Sequence, residues 1–383
     1  MRLLHTSDWH LGRSFHREDL LGAQGRFVDF LVETVRAEAV DAVLVSGDIY
    51  DRALPSVDAV ELCNDALRRL AATGVRVVLI SGNHDSARRL GFGADLIDAA
   101  GIHLRTDPRR CGQPVLLADD AGSVAVYGLP YLEPDAVRAD LGCEARGHEA
   151  VLAAAMAQVR ADLAARPGAR SVVLAHAFVA GGQASDSERD ISVGGVSAVP
   201  PTTFAGVSYV ALGHLHGAQR VADGVHYSGS PLAYSFSEEH QPKGVLLVDL
   251  PGRPGSPVSV EAVPTPVGRP LARVRGRLDD LLTGPEWEAH AGHYLQVTLT
   301  DPVRPREPME RLRARFPHVL VLGFDPEGGE TARSESYAAR LHGRTDLQVA
   351  TDFVAHVRSD PDPAEAELLQ RALESSRLAE AAL

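Results

Sequence analysis

Five polar clusters, each placed directly after a short apolar run, leave this 383-residue chain few ways to fold. Asp8 and His10 follow the run Arg2 to His5, Asp48 follows Ala42 to Ser46, and Asn83 with His84 follows Arg76 to Ser81. His176 follows Ser171 to Ala175, and His214 with His216 follows Tyr209 to Leu212. Short apolar runs of this length read as strands. In an open α/β sheet the carboxyl ends of the strands gather along one edge, so residues spread from position 8 to 216 can converge in one crevice. Ser123 to Tyr127 and Val245 to Leu250 read as further strands. Phe27, Phe30, Leu31, Thr34 and Val35, like Val60, Leu67 and Leu70, recur at helical spacing and suit helices that cover a sheet. The expected class is α/β, a mixed β-sandwich flanked by helices.

The residues at those strand ends are two carboxylates, one amide and several imidazoles, with no thiolate among them. Such a donor set suits borderline to hard divalent ions such as Mn²⁺, Fe²⁺ or Zn²⁺. Seven candidate ligands exceed what one centre takes. Two ions about 4 Å apart need a bridging carboxylate, and Asp48 is the natural bridge. Two divalent ions against Asp8 and Asp48 leave net positive charge to attract a phosphate. Glycines in Ser46-Gly47-Asp48, Ser81-Gly82-Asn83-His84 and Leu212-Gly213-His214 suit tight exits that present the next side chain. Taken singly, a Gly-Asp is most often a turn and a lone histidine a surface or core residue. That ordinary role is expected for His103, His148, His226, His240, His290, His293, His318, His342 and His356.

Pro251, Pro254, Pro257, Pro264, Pro266 and Pro270 are too many for a helix or a central strand, which places a domain boundary near the end of that segment. Three parts are expected: a catalytic domain over 1–268, a small α+β cap over 269–345, and a helical tail over 346–383. In the cap, Tyr294 to Thr300 and Val319 to Phe324 read as strands flanking a helix from Glu307 to Phe316. In the tail, Val349, Phe353, Val354 and Val357 form one stripe, and Asp362-Pro363-Ala364-Glu365 reads as a capping box opening a second helix.

A net charge of −13 argues against a uniformly basic nucleic-acid binder. Residues 266 to 345 nevertheless hold 12 Arg against 11 Asp plus Glu, so the cap is where a polyanion would be met outside the crevice. Arg273, Arg275, Arg311 and Arg313 are the candidate contacts, with a solvated surface as the alternative reading. Cys63, Cys111 and Cys143, odd in number and without a close pair, fit a reducing cytoplasm. No apolar run approaches the roughly 20 residues of a membrane span, and Met1 to Leu4 reaches His5 and Asp8 too soon for a signal peptide.

The ordered set of Asp-x-His, Gly-Asp-x-x-Asp, Gly-Asn-His-Asp, an isolated strand-end histidine and Gly-His-x-His resembles the calcineurin-like metallophosphoesterase superfamily. Within it the chain resembles the SbcD family, nuclease subunits of bacterial SbcC–SbcD DNA repair complexes. That likeness rests on His5-Thr6-Ser7-Asp8-Trp9-His10-Leu11-Gly12, Gly47-Asp48-Ile49-Tyr50-Asp51 and Ser185-Asp186-Ser187-Glu188-Arg189 before Val193-Gly194-Gly195. It continues through Ala211-Leu212-Gly213-His214-Leu215-His216 and Tyr227-Ser228-Gly229-Ser230-Pro231-Leu232, and fades after about residue 345. The resemblance implies manganese-dependent exonuclease and endonuclease activity at DNA ends, hairpins and single strands. It gives Asp8, His10, Asp48 and His216 to one manganese, and Asp48, Asn83, His176 and His214 to the other, with Mg²⁺ or another divalent ion as substitutes. His84 would serve the leaving oxygen, and His16 matches a second active-site histidine. It also implies an SbcC-type ATPase partner, a homodimer within a heterotetramer, and a place in the cytoplasm at the nucleoid. The chain carries no Gly-x-x-x-x-Gly-Lys loop of its own, so ATP dependence would come from that partner.

The residues also speak against three rival functions. A protein phosphatase would have glycine soon after Gly-Asp-x-x-Asp-Arg, where this chain has Ala53-Leu54-Pro55. A secreted nucleotidase would begin with a signal peptide. A non-catalytic scaffold would be expected to have lost ligands, and all seven are present.

Overall fold

The central strands are apolar on both faces because both faces are covered. In the computed structural model, which describes residues 1–189, 191, 198–327, 345–357 and 361–380, successive side chains of one strand enter different cores. Leu3 and Leu44 face a second sheet, whereas Leu4, Val43 and Val45 face helices.

The strands in chain order are β1 (Arg2–Thr6), the two-residue pair β2 (Ser14–Phe15) and β3 (Glu18–Asp19), β4 (Ala42–Ser46), β5 (Arg76–Ile80), β6 (Ile102–Arg105) and β7 (Val115–Asp119). They continue with β8 (Gly122–Leu129), β9 (Arg170–His176), β10 (Tyr209–Gly213), β11 (Gln219–Ala222), β12 (Val225–Tyr227), β13 (Gly244–Asp249) and β14 (Ser259–Pro264). One six-stranded sheet has the order β14-β13-β1-β4-β5-β6 and the other β11-β12-β10-β9-β8-β7. In the first, β1, β4, β5 and β6 run parallel and β13 antiparallel to β1. In the second, β12, β10, β9 and β8 run parallel, with β11 and β7 antiparallel at the edges.

The sheets meet through Leu3, Leu44, Val78, Ile80 and Val248 on one side and Val126, Val172, Leu174 and Ala211 on the other. Helices Leu21–Ala37 and Val57–Ala71 cover the first sheet with Phe27, Leu31, Val35, Cys63, Ala66 and Leu70. Helix His148–Ala164 covers the second with Val151, Leu152, Ala155, Met156 and Val159. The result is the expected sandwich of two sheets between helices.

Several strands differ from the sequence expectation. The proline-rich segment is not all connector, since β14 within it pairs with β13 from Ser259 to Pro264. Being an edge strand, it needs hydrogen bonds on one side only, and Pro264 stands at its end, where the missing N–H costs least. Short strands β6, β7, β11 and β12 have no counterpart in the sequence expectation because three to five residues beside turns leave too little periodicity to detect.

A three-stranded sheet follows, β15 (Leu271–Gly276), β16 (Tyr294–Leu299) and β17 (Val319–Phe324), in that order, with a helix at Pro308–Arg315. The chain divides into two compact units. One comprises Met1–Val274, Leu282–Val297 and Met309–Leu322, the other Arg275–Leu281, Thr298–Pro308 and Gly323–Leu383. Helices Asp346–Val357 and Pro363–Glu380 belong to the second and contact each other. The capping box opens the latter as expected: Asp362 Oδ1 accepts from Ala364 N and Glu365 N, each at 2.9 Å, while Glu365 Oε2 accepts from Asp362 N at 3.1 Å. Among the described residues no helix is long and apolar enough to cross a membrane.

Candidate metal centre

The carboxyl ends of β1, β4 and β5 in one sheet meet those of β9 and β10 in the other. Backbone bonds stitch the exits together: Asp8 N donates to Gly47 O and His10 N to Asp48 O, both at 3.0 Å, and His176 Nδ1 lies 2.9 Å from Ser46 O. The approach is so close that a Cβ on Gly82 would sit 2.1 Å from Asp48 Oδ1, and one on Gly213 would sit 1.9 Å from Ser46 O. No other residue fits either position.

Asp8, His10, Asp48 and His214 all adopt positive φ, at 52°, 44°, 48° and 109°. Each such residue costs on the order of 1–3 kcal/mol and persists only where its surroundings over-determine it, a signature of functional sites. Strain here is concentrated in four of the candidate ligands.

Six of the seven expected ligands are buried, and Asn83 is half-buried. Asp48 Oδ2 lies 3.6 Å from His10 Nε2, 3.6 Å from His176 Nε2 and 4.0 Å from His84 Nε2. Asn83 Oδ1 lies 2.8 Å from His176 Nε2 and 3.2 Å from His214 Nδ1, and His10 Nε2 lies 3.1 Å from His216 Nε2. Three overlapping groups have ligand atoms within 4.8 Å of one another: Asp8 with His10 and His216, His10 with Asp48 and His84, and Asp8 with Asp48 and His176. Asp48 joins two of them.

The electrostatics call for a cation. Burial, then the nearby Asp48 carboxylate, raises Asp8 well above the ordinary carboxylate range. Burial, then neighbouring imidazoles, lowers His10 and His214 well below the ordinary imidazole value. A buried carboxylate that resists ionising, as Asp8 does, and imidazoles kept neutral are what a divalent ion stabilises, because it supplies the missing positive charge and takes their lone pairs. The residues fit such ions.

His84 is placed differently. Its Nδ1 meets Asp51 O at 2.8 Å and its N–H donates to Asp48 Oδ1 at 2.9 Å, leaving Nε2 toward the cluster. Burial lowers its pKa, opposed by Asp48 and the Asp51 carbonyl. His16, an exposed residue at φ 48° between β2 and β3, has its ring beside Phe15 and Phe236. Arg273 pairs with Glu239 at 3.6 Å, Arg275 pairs with Asp325 at 2.7 Å, and Arg313 donates to Val319 O; Arg311 lies in helix Pro308–Arg315. Of the ordinary histidines, His148 meets Ile191 O, His103 meets Asp98, and His226 stacks on Tyr209. Val193-Gly194-Gly195 and His342 lie outside the described residues.

The structure gives roles to residues for which the sequence suggested none. Asp85 accepts from Ile49 N, Tyr50 N and Gly82 N at 2.9 to 3.0 Å, tying the exits of β4 and β5. Glu188 accepts from His216 N at 2.8 Å, and Ser187 Oγ lies 2.6 Å from His216 Nδ1.

The chain belongs to the calcineurin-like phosphoesterase family, whose model matches residues 1–218, more than half of its length. Family and donor set together make it a divalent-metal-dependent hydrolase. A particular relative, the SbcD polypeptide of the nuclease SbcCD from Staphylococcus saprophyticus, is 29% identical over 325 residues, 84% of either chain. Residues 267–358 match the family described as type 5 capsule protein repressor C-terminal domain. Among solved structures, TT1561 of Thermus thermophilus is 13% identical over 68% of this chain and 98% of its own, with a TM-score of 0.39. A dimetal phosphatase from Danio rerio is 14% identical over the same shares, at 0.38. At those scores neither likeness carries an argument.

Proposed function

We propose that this chain is a manganese-dependent DNA nuclease that hydrolyses phosphodiester bonds at ends, hairpins and single strands, acting as a subunit of an ATP-dependent repair complex at the nucleoid. The observation that carries the reading is the convergence of two buried carboxylates, Asp8 and Asp48, with Asn83 and the imidazoles of His10, His176, His214 and His216 at the meeting edge of the two sheets. The likeness to a nuclease polypeptide over most of both chains favours a nuclease among the phosphoesterases.

Asp8, His10, Asp48 and His216 would hold one ion, and Asp48, Asn83, His176 and His214 the other. Bound there, two divalent ions would activate water and neutralise charge developing on the phosphate. The chain's own residues do the rest. Gly47, Gly82 and Gly213 let the backbone approach closely enough to bring the ligands together. His84, its Nδ1 donating to Asp51 O, turns Nε2 toward the cluster, from where that nitrogen, once protonated, would donate to the departing oxygen, and it is assigned to the leaving group. His16, on its exposed hairpin, is assigned to substrate beside the centre.

Residues 1–268 act as the nuclease domain, 269–345 as a DNA-positioning cap in which Arg273, Arg275, Arg311 and Arg313 contact phosphates, and 346–383 as the docking tail for an SbcC-type ATPase. Arg273 and Arg275 would exchange Glu239 and Asp325 for the DNA backbone. A homodimer is supported by Leu54, Val57, Val60 and Phe92, exposed apolar residues of which Leu54, Val60 and Phe92 line one groove beside helix Val57–Ala71.

Release of nucleotides from end-labelled DNA, with Mn²⁺, with Mg²⁺ and beside a phosphomonoester substrate, tests the proposal. Cleavage of DNA with Mn²⁺ and weak turnover of the monoester is expected. Turnover of the monoester alone would leave a phosphatase.

A further inference from the structure

Of the 38 basic residues in this chain, 37 are arginine, and the one lysine is inside the protein. Lys243 is 10% exposed, and its Nζ lies 2.6 Å from Oε2 of Glu238, a carboxylate with no exposed side-chain surface. The ammonium also donates to His216 O at 2.8 Å and Ser230 Oγ at 3.1 Å, with Gln241 Oε1 beside them at 3.3 Å. Acceptors spread around a point suit an ammonium, with three donors on one atom, and not the planar fork of a guanidinium. In a chain that uses arginine everywhere else, this position has a geometric reason to differ.

What the ammonium holds leads to His216. Glu238, as an anion, can only accept hydrogen bonds, and its Oε1 lies 2.5 Å from Ser187 Oγ. Ser187 therefore gives its single proton to Glu238 and must accept from His216 Nδ1, 2.6 Å away. With the proton on Nδ1, His216 Nε2 presents a bare lone pair to the cluster, 3.1 Å from His10 Nε2. The His216 main chain is held on both sides, its N–H by Glu188 and its carbonyl by Lys243.

We infer that Lys243, acting through Glu238 and Ser187, is the positioning group that sets His216 in its metal-binding tautomer and place. The inference rests on the reading of His216 as a metal ligand, and it concerns residues that touch neither ion nor substrate. A charged partner behind a metal-binding histidine is commonly worth ten- to a hundredfold in affinity. Here the relay gives a particular consequence for Glu238→Gln. The amide oxygen must face the ammonium, so its NH₂ faces Ser187, whose proton then turns to His216 Nδ1 at 2.6 Å, nearer than Ser185 Oγ at 3.0 Å, and so shifts the ring proton to Nε2.

Two-bond proton–nitrogen spectra of the metal-free, full-length protein labelled with nitrogen-15 histidine read that tautomer directly, and calorimetric titration with Mn²⁺ reads the affinity. Wild type is expected to show His216 protonated on Nδ1. Glu238→Gln should show it on Nε2 and bind one of two ions ten- to a hundredfold more weakly, with unchanged circular dichroism. Lys243→Arg should weaken the same ion despite keeping the charge. Wild-type tautomer and affinity in Glu238→Gln would overturn the inference even if Lys243→Arg failed to fold. Wild-type protein that binds no divalent ion would instead overturn the metal reading itself.

Discussion

At the scale of the residue, Asp48 is the group on which the centre turns, with His10, His84 and His176 all within 4.0 Å of its Oδ2. Asp48→Ala should lose bound metal and hydrolysis together while the fold survives, since both sheets keep their cores. Equilibrium dialysis that found two tightly held Mn²⁺ ions in that variant would defeat the bridging assignment. His84→Gln separates the roles of neighbours. It should keep both ions and cleave roughly 10²-fold more slowly, the scale of a lost general acid. Loss of metal would move His84 among the ligands, a place the cluster it forms with His10 and Asp48 would allow. The positions of the seven candidate ligands were legible because each follows a strand, so its side chain is delivered to a known edge. Ser187, Glu188 and Glu238 were not legible as partners of His216, because polar loop residues carry no periodic signal of what they touch. The hints available were the segment Ser185-Asp186-Ser187-Glu188-Arg189, which carries a likeness but no contact, and the solitary Lys243.

At the scale of the element, the tail and the exposed groove make separable predictions. Helices Asp346–Val357 and Pro363–Glu380 leave Phe353 and Leu368 more than half exposed, and helices of this length are marginal without a surface to cover. Removing residues 346 to 383 should leave Mn²⁺-dependent cleavage of single strands nearly intact while abolishing co-purification with an SbcC-type ATPase. A truncated protein that unfolds would assign the tail to the core. Phe92, 87% exposed beside Leu54 and Val60, bears on the dimer. Phe92→Glu should yield a monomer by sedimentation, and an unchanged dimer would place the interface elsewhere. Helix ends were readable where capping chemistry is local, as at Asp362 and Glu365, whereas β14 escaped because a proline count cannot tell an edge strand from a linker.

At the scale of the whole molecule, the two sheets are joined by polar contacts as well as packing, and these set a pH dependence. His5 on β1 reaches β10, with Nδ1 3.0 Å from Tyr209 Oη and Nε2 3.1 Å from Leu212 O. Burial, then His226, brings its pKa from 6.5 down to about 3. His226, stacked on Tyr209, is likewise lowered, to about 4, by burial and then Arg220. Below pH 6.5 the unfolded chain binds protons that the folded chain refuses, so stability is present above that pH and is lost as pH falls toward 4. Urea melts at pH 7 and pH 5 should show the loss, and His5→Gln should flatten the slope; an equal slope in the variant would remove His5 from the account. The sequence by itself determined the α/β sandwich, the edge that carries chemistry and the donor types, because strand periodicity and strand-end placement are local properties of the chain. Only the tertiary structure decided which sheet each strand joins, that four ligands at three strand exits adopt strained backbone, and that residues 187, 188, 238 and 243 surround His216. Those facts depend on contacts between segments far apart in the chain, and no local pattern records them.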